Sequence, residues 1–249
     1  MKKLMTALAV CAAASISLAA SGVTSANVVG YTTTPLTNAQ YTALGWQFTV
    51  VGSGSLLVPI ASLTNYPNPT VSTLGFSAAD GIRKWRPLTS DYQNYYRRSA
   101  SIWAKAGETT NTTDTISAGE MVMFIKRGTQ PSSLMEIGEV SKNDIAISTP
   151  KGQYTAMCNP FPTAIPIASI TNYPNPTVST LGFSAADGIR KWVPQTSGYQ
   201  NYYRRSSSIW AKAGETTNTT DVIAANEGFM FIKRGTTDGV QVTFTSPIK

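Results

Sequence analysis

The chain has 249 residues, 42% of them hydrophobic, and its 20 basic and 13 acidic side chains give a formal net charge of +7. It contains no histidine, which removes Ser-His-Asp triads, Cys-His pairs and histidine-ligated metal sites. The positive bias is modest and falls short of the concentrated charge of a dedicated nucleic-acid binder, which argues against nucleic acid as a partner.

Residues 1–26 read as a secretory signal. Lys2 and Lys3 supply the positive start, an uncharged Ala/Leu-rich stretch covers residues 4–20, and small residues offer cleavage after Ala26 or Gly22. The stretch is short and holds Thr6, Ser15 and Ser17, so it would span a bilayer poorly. The expectation is a secreted, extracellular or cell-surface protein, with the periplasm as a further compartment and no transmembrane segment in the mature chain. Removing Lys2 and Lys3 leaves 18 basic against 13 acidic residues, or +5. It also removes Cys11, so Cys158 stands alone and no intrachain disulfide can form. An exported domain without staples has to stabilise itself by burying a core.

Residues 59–129 recur at 166–236 with a constant offset of 107, and about 61 of the 71 paired positions are identical. Self-similarity at a fixed long period means repeated structural units. Fainter matches extend the unit backwards, pairing Phe48-Thr49-Val50 with Tyr154-Thr155-Ala156 and Val29-Gly30 with Ile137-Gly138. Gly128, Pro131, Ser132 and Ser133 interrupt the apolar pattern, which gives a first unit over 27–131 and a second over 132–249. On this alignment the segment that closes the first unit also opens the second. Identity this high reads as recent duplication or continuing exchange between the copies, and the ten or so differences as drift.

Two-residue alternation recurs through both units while helical periodicity is lacking. Trp46-Gln47-Phe48-Thr49-Val50 and Val240-Gln241-Val242-Thr243-Phe244-Thr245 alternate cleanly, and residues 121–125 and 229–232 are continuous apolar runs, as strands buried on both faces require. Between them lie Asn65-Tyr66-Pro67-Asn68-Pro69, Asp80-Gly81 and the Thr/Asn-rich residues 107–114, all with copies. Such turn chemistry between short strands predicts an all-β fold of two tandem, nearly identical sandwich-like or barrel-like units. Alternation also puts Tyr154, Ala156 and Cys158 on one inward face, which predicts a buried, inert thiol.

The opening Asn27-Val28-Val29-Gly30-Tyr31 resembles the mature start of exported β-repeat proteins of Verrucomicrobia- and Lentisphaerae-type bacteria. So does the later order of Asn159-Pro160-Phe161-Pro162, Asp187-Gly188-Ile189 with Trp192, Tyr199, Tyr202-Tyr203, Trp210 and Glu227-Gly228-Phe229. The first unit departs from it, with Gly52-Ser53-Gly54 in place of Asn-Pro-Phe-Pro. The resemblance implies an exported β-domain and carries over no catalytic residue, cofactor or ligand.

The densest chemical feature is aromatic and basic: Trp85, Tyr95, Tyr96, Arg97, Arg98 and Trp103, copied as Trp192, Tyr202, Tyr203, Arg204, Arg205 and Trp210. Adjacent tyrosines on a strand point to opposite faces, so one of each pair is expected on the surface beside an arginine. Exposed aromatics with cationic neighbours stack sugars and engage anions. These twelve residues are therefore a candidate ligand-binding surface for an anionic polysaccharide or cell-envelope polymer. The alternative is that the tryptophans are core and the basic residues solvate an outer face.

Asp80, Glu108, Asp114 and Glu120, copied as Asp187, Glu215, Asp221 and Glu227, are the recurring acids that a two-carboxylate glycosidase would draw on. Their turn and loop settings favour solvated or capping roles instead. Two carboxylates and an amide in residues 107–114 are a poor match to the six to eight oxygens calcium takes. No cofactor or metal is expected. The sequence points to a non-enzymatic structural or adhesive protein of the envelope or extracellular space, with a carbohydrate-binding module or carbohydrate-active enzyme as the alternative. Edge strands at the two chain ends would let it pair with itself head to tail.

Overall fold

The computed structural model describes residues 29–49, 55–235 and 240–248; the signal segment, Cys11 and Gly52-Ser53-Gly54 lie outside them. The first half contains β1 (Val29–Leu36), β2 (Tyr41–Gly45), β3 (Phe48–Thr49), β4 (Leu57–Pro59), β5 (Gly81–Arg86), β6 (Asp91–Ser99), β7 (Ile102–Lys105), β8 (Thr115–Ser117) and β9 (Met121–Ile125). β10 (Ser132–Val140) follows, and then β11 (Ile145–Thr149), β12 (Tyr154–Cys158), β13 (Ile165–Pro166), β14 (Gly188–Val193) and β15 (Gly198–Arg204). β16 (Trp210–Lys212), β17 (Val222–Ile223), β18 (Gly228–Ile232) and β19 (Val240–Phe244) complete the strands. Three single 3₁₀ turns are the helical content of the described residues, so the fold is all-β. No helix among them is long and apolar enough to cross a membrane.

Two five-stranded antiparallel sheets dominate, in the orders β2-β9-β5-β6-β7 and β12-β18-β14-β15-β16. Their registers correspond, with Gly81 opposite Tyr96 in one and Gly188 opposite Tyr203 in the other. Smaller sheets flank them: β1-β10-β3, β4-β8, β11-β19 and β13-β17. Several sheets are present and none of them closes, so the barrel-like alternative does not hold among the described residues.

The registers correct two sequence alignments. Tyr41 pairs with Ile125 and Tyr154 with Ile232, so β12 takes the place of β2, and Tyr154 that of Tyr41 rather than of Phe48. Tyr154 lies 113 residues after Tyr41, since 154 − 41 = 113, so a comparison at a fixed offset of 107 slides past the match. Cys158 therefore stands where the first sheet has Gly45. The junction segment also does not serve both halves. β10 spends its ladder on β1, from Val29–Glu139 to Leu36–Ser132, and its last two residues on β3. β19 pairs instead with a separate opening strand, β11. The first and last described strands, β1 and β19, thus each pair with one strand of this chain.

Each large sheet is covered on both faces. On one face of the first, Leu44, Ile82, Tyr95, Trp103, Val122 and Phe124 form a core with Val58, Ile60 and Ile116. Met157, Ile189, Tyr202, Trp210, Phe229 and Phe231 do the same for the second, closed by Val242 and Phe244 of β19. The opposite faces of the two sheets meet each other through Ala43, Met121, Met123, Ala156, Cys158 and Met230. Burial on both sides explains why β9 and β18 are apolar at every described position.

Candidate functional site

The structure takes most of the predicted ligand surface into the interior. Tyr95, Tyr96, Arg97 and Trp103, and their copies Tyr202, Tyr203, Arg204 and Trp210, are all buried. Tyr95 lies in the sheet's core and donates its hydroxyl to Asp114 at 2.5 Å, while Tyr202 donates to Asp221 at 2.7 Å. Tyr96 and Tyr203 occupy the other face, where the sequence predicted solvent. Residues 67–80 fold back over that face and seal it with Phe76 and Ala79, and Phe183 and Ala186 repeat the cover. The two tyrosine hydroxyls donate to the Glu108 and Glu215 carbonyls, both at 2.9 Å. Arg98 and Arg205 reach back to those hydroxyls at 3.3 Å. Trp103 and Trp210 donate their indole N–H to the Leu63 and Ile170 carbonyls, each at 2.8 Å.

Arg97 lies with its guanidinium 5.8 Å from the Tyr66 ring centre and 5.4 Å from that of Trp103, and donates to the Ala100 carbonyl. Asp80, read from sequence as a solvated or capping turn acid, is buried. Its carboxylate accepts the Arg127 and Thr70 backbone N–H groups at 2.6 and 2.8 Å and pairs with buried Lys126 at 3.2 Å. Asp187 and Lys233 repeat the arrangement at 3.4 Å. Paired and satisfied ions of this kind fix a loop against a sheet at little net gain in free energy. Glu120 pairs with Lys84 and Glu227 with Lys191, both at 3.0 Å. The loop weighed for calcium turns oxygens inward: Asn111 Oδ1 accepts the Trp103 N–H at 3.0 Å, and Thr112 Oγ1 accepts that of Asp114 at 3.1 Å. Among the described residues no group of three or more His, Cys, Asp or Glu is placed to hold a metal.

Trp85 and Trp192 are different, because the structure brings them together from the two sheets. The Trp85 indole donates to the Tyr154 carbonyl at 2.6 Å, and the Trp192 indole to the Tyr41 carbonyl at 2.7 Å. Each tryptophan meets a tyrosine edge-on, Tyr92 at 4.9 Å and Tyr199 at 5.1 Å between ring centres. Arg83 stacks 4.8 Å from the Tyr41 ring centre and Arg190 5.0 Å from that of Tyr154. Burial and the neighbouring Tyr199 hydroxyl push the Tyr92 phenol above its ordinary value. Beside Trp85 a cleft of about 340 Å³ opens between the sheets, lined by Lys84, Glu120, Ile147, Ser148 and Thr155 among others. Compared with protein-family models, curated proteins and solved structures, the chain matches none.

Sequence reading named the two tryptophans of this seam, placed Tyr154 inward and counted Tyr199 in the resemblance, but set none of Tyr41, Arg83, Tyr92, Tyr154, Arg190 and Tyr199 among the candidate site residues. The copied arginines and tyrosines carried a signal, since Arg83, Trp85, Tyr92 and Asn94 alternate along one face of a hairpin. It also missed an outward apolar face on the β1·β10 ribbon. Tyr31 is 77% exposed and pairs with Ile137, which is 53% exposed, while Val29 and Met135 flank them. The outward positions on the β11·β19 ribbon are Ala146, Ser148, Gln241 and Thr243. Among the described residues β1 is the outer strand of its sheet and β10 is its one ladder partner.

Proposed function

We propose that the protein is a non-enzymatic structural or adhesive component of the cell envelope or extracellular space, exported by its N-terminal segment and built of two tandem, nearly identical β-units. The observation that carries this reading is the exposed face of Val29, Tyr31, Met135 and Ile137 on a ribbon whose outer strand, among the described residues, pairs on one side only. Contiguous apolar surface of this kind marks a contact site, and an outer strand adds backbone donors and acceptors to it. Tyr95, Tyr96, Arg97 and Trp103 and their copies, which would otherwise suggest ligand chemistry, are buried and hydrogen-bonded within the fold. Light scattering and surface-adhesion assays on the mature protein test the reading. Association or adhesion that Tyr31→Lys with Ile137→Lys abolishes supports it, and a mature protein that neither associates nor adheres overturns it.

One observation favours a second reading. The cleft beside Trp85 combines an aromatic ring, Lys84 and hydroxyl-bearing Ser148 and Thr155, which suits an anionic polysaccharide. Binding on a glycan array that Lys84→Ala weakens would favour this over adhesion.

A further inference from the structure

The seam between the large sheets has approximate two-fold symmetry, and its contacts come in matched pairs. Trp85 donates to Tyr154 as Trp192 donates to Tyr41. The Gly45 N–H donates to the Asn226 carbonyl at 3.1 Å, and the Cys158 N–H to the Gly119 carbonyl at 2.8 Å. Leu44 bridges to Glu227 as Glu120 bridges to Met157. Equivalent residues thus face each other across the seam.

Where they face each other most closely, the two sides differ. Gly45 meets its own counterpart Cys158, and a Cβ on the glycine would lie 1.9 Å from the cysteine Cβ. Gly228 meets its counterpart Met121, and a Cβ there would lie 2.2 Å from the methionine Cγ. Off the axis the same complementarity recurs. Asn226 donates to Thr34 Oγ1 at 2.8 Å, while its counterpart Gly119 lies under Ile147, whose Cδ1 would be 2.6 Å from an added Cβ. At each place one side is a glycine that admits what the other side supplies.

We infer that the seam is a heterotypic recognition surface: the first sheet's face accepts the second sheet's face, in its own chain or in a second copy, and rejects its own kind. Pairing two first faces sets Met121 against Met121 and leaves Gly45 opposite Gly45. Pairing two second faces sets Cys158 against Cys158 and leaves a void between two Gly228 positions. Overfilled and underfilled contacts are both destabilising, so the mismatch selects against homotypic pairs. Within one chain the two faces are joined by residues 141–144, and their high effective concentration favours internal closure. A second copy enters by reciprocal exchange, each first sheet closing on the other molecule's second sheet.

The test uses full-length mature chains. Met121→Gly opens a hole and Gly228→Met creates a collision, so each alone lowers Tm by several degrees. The two substitutions in one chain exchange the knob for the hole, and Tm returns most of the way to that of the natural protein. Unfolding the two single variants together and refolding the mixture gives a one-to-one dimer of twice the monomer mass, because exchange restores a methionine–glycine pair at both seams. Either variant refolded alone gives no such dimer. A double variant whose loss equals the sum of the singles overturns the inference, and so does a mixture that yields only monomer or fails to refold. None of these changes touches the β1·β10 surface, so their failure leaves the adhesive reading standing.

Discussion

Asn226 reaches across the seam and donates its amide to Oε1 of the buried Glu136 carboxyl at 3.1 Å. Burial holds the Glu136 pKa up to about 8 against an ordinary 4.5, and the Asn226 contact offsets only part of that. A carboxyl whose folded pKa is raised contributes most below its unfolded value, and that contribution falls as pH rises through the folded one.

Stability should therefore decline between about pH 4.5 and about pH 8, at roughly 1.4 kcal/mol per unit at the steepest. Glu136→Gln keeps the shape without the titration. Chemical denaturation across that window is expected to show a slope in the natural protein that the variant lacks, with the variant more stable at pH 8. Equal slopes would mean that Glu136 is ionised in the fold.

Asp80→Ala strands Lys126 in the interior and removes the acceptor of the Thr70 and Arg127 N–H groups. Breaking one side of a buried ion pair costs about 3–5 kcal/mol. Urea titration should show that loss, and Asp187→Ala should show nearly the same one, because the second cluster repeats the first. A loss below about 1 kcal/mol in either would indicate that water enters the cluster.

Cys158 is fully buried against Gly45, and burial pushes its thiol well above the usual range. Native protein should react with a thiol reagent only as fast as the seam opens, and at full speed once denatured. Rapid native labelling would place the thiol outside the seam.

Trp85→Phe and Trp192→Phe each remove one indole donor while keeping ring area. Each should cost about 1–2 kcal/mol by denaturant titration, and the two costs should agree closely, since the contacts are symmetric. A wide disparity would show that the seam is held from one side.

Much of the fold was legible in the sequence because strand signals are local. The unbroken apolar residues 121–125 announced a strand buried on both faces, and alternation placed Cys158 inward. Tyr96 was misjudged because the cover over its face comes from Phe76 and Ala79, some 20 residues away, and no local pattern reports it. The burial of Asp80 was illegible for a related reason: its cation, Lys126, is 46 positions distant. The seam is hidden in the sequence because the repeat signal reports what the copies share. Its specificity lies in what they do not share, at Gly119 and Asn226, Met121 and Gly228, and Gly45 and Cys158.

That placement bears on how the two DNA segments can evolve. Exchange between such near-identical neighbours would overwrite one copy with the other across residues 59–129 and 166–236. An event that carried the codons for 119–122 across would set methionine against methionine, or glycine against glycine, in a seam with no slack for either. Such an event would cost packing. Exchange leaves the seam intact where its matched contacts come from shared residues, as at Trp85 and Trp192, and breaks it where they come from differing ones, as at Met121 and Gly228.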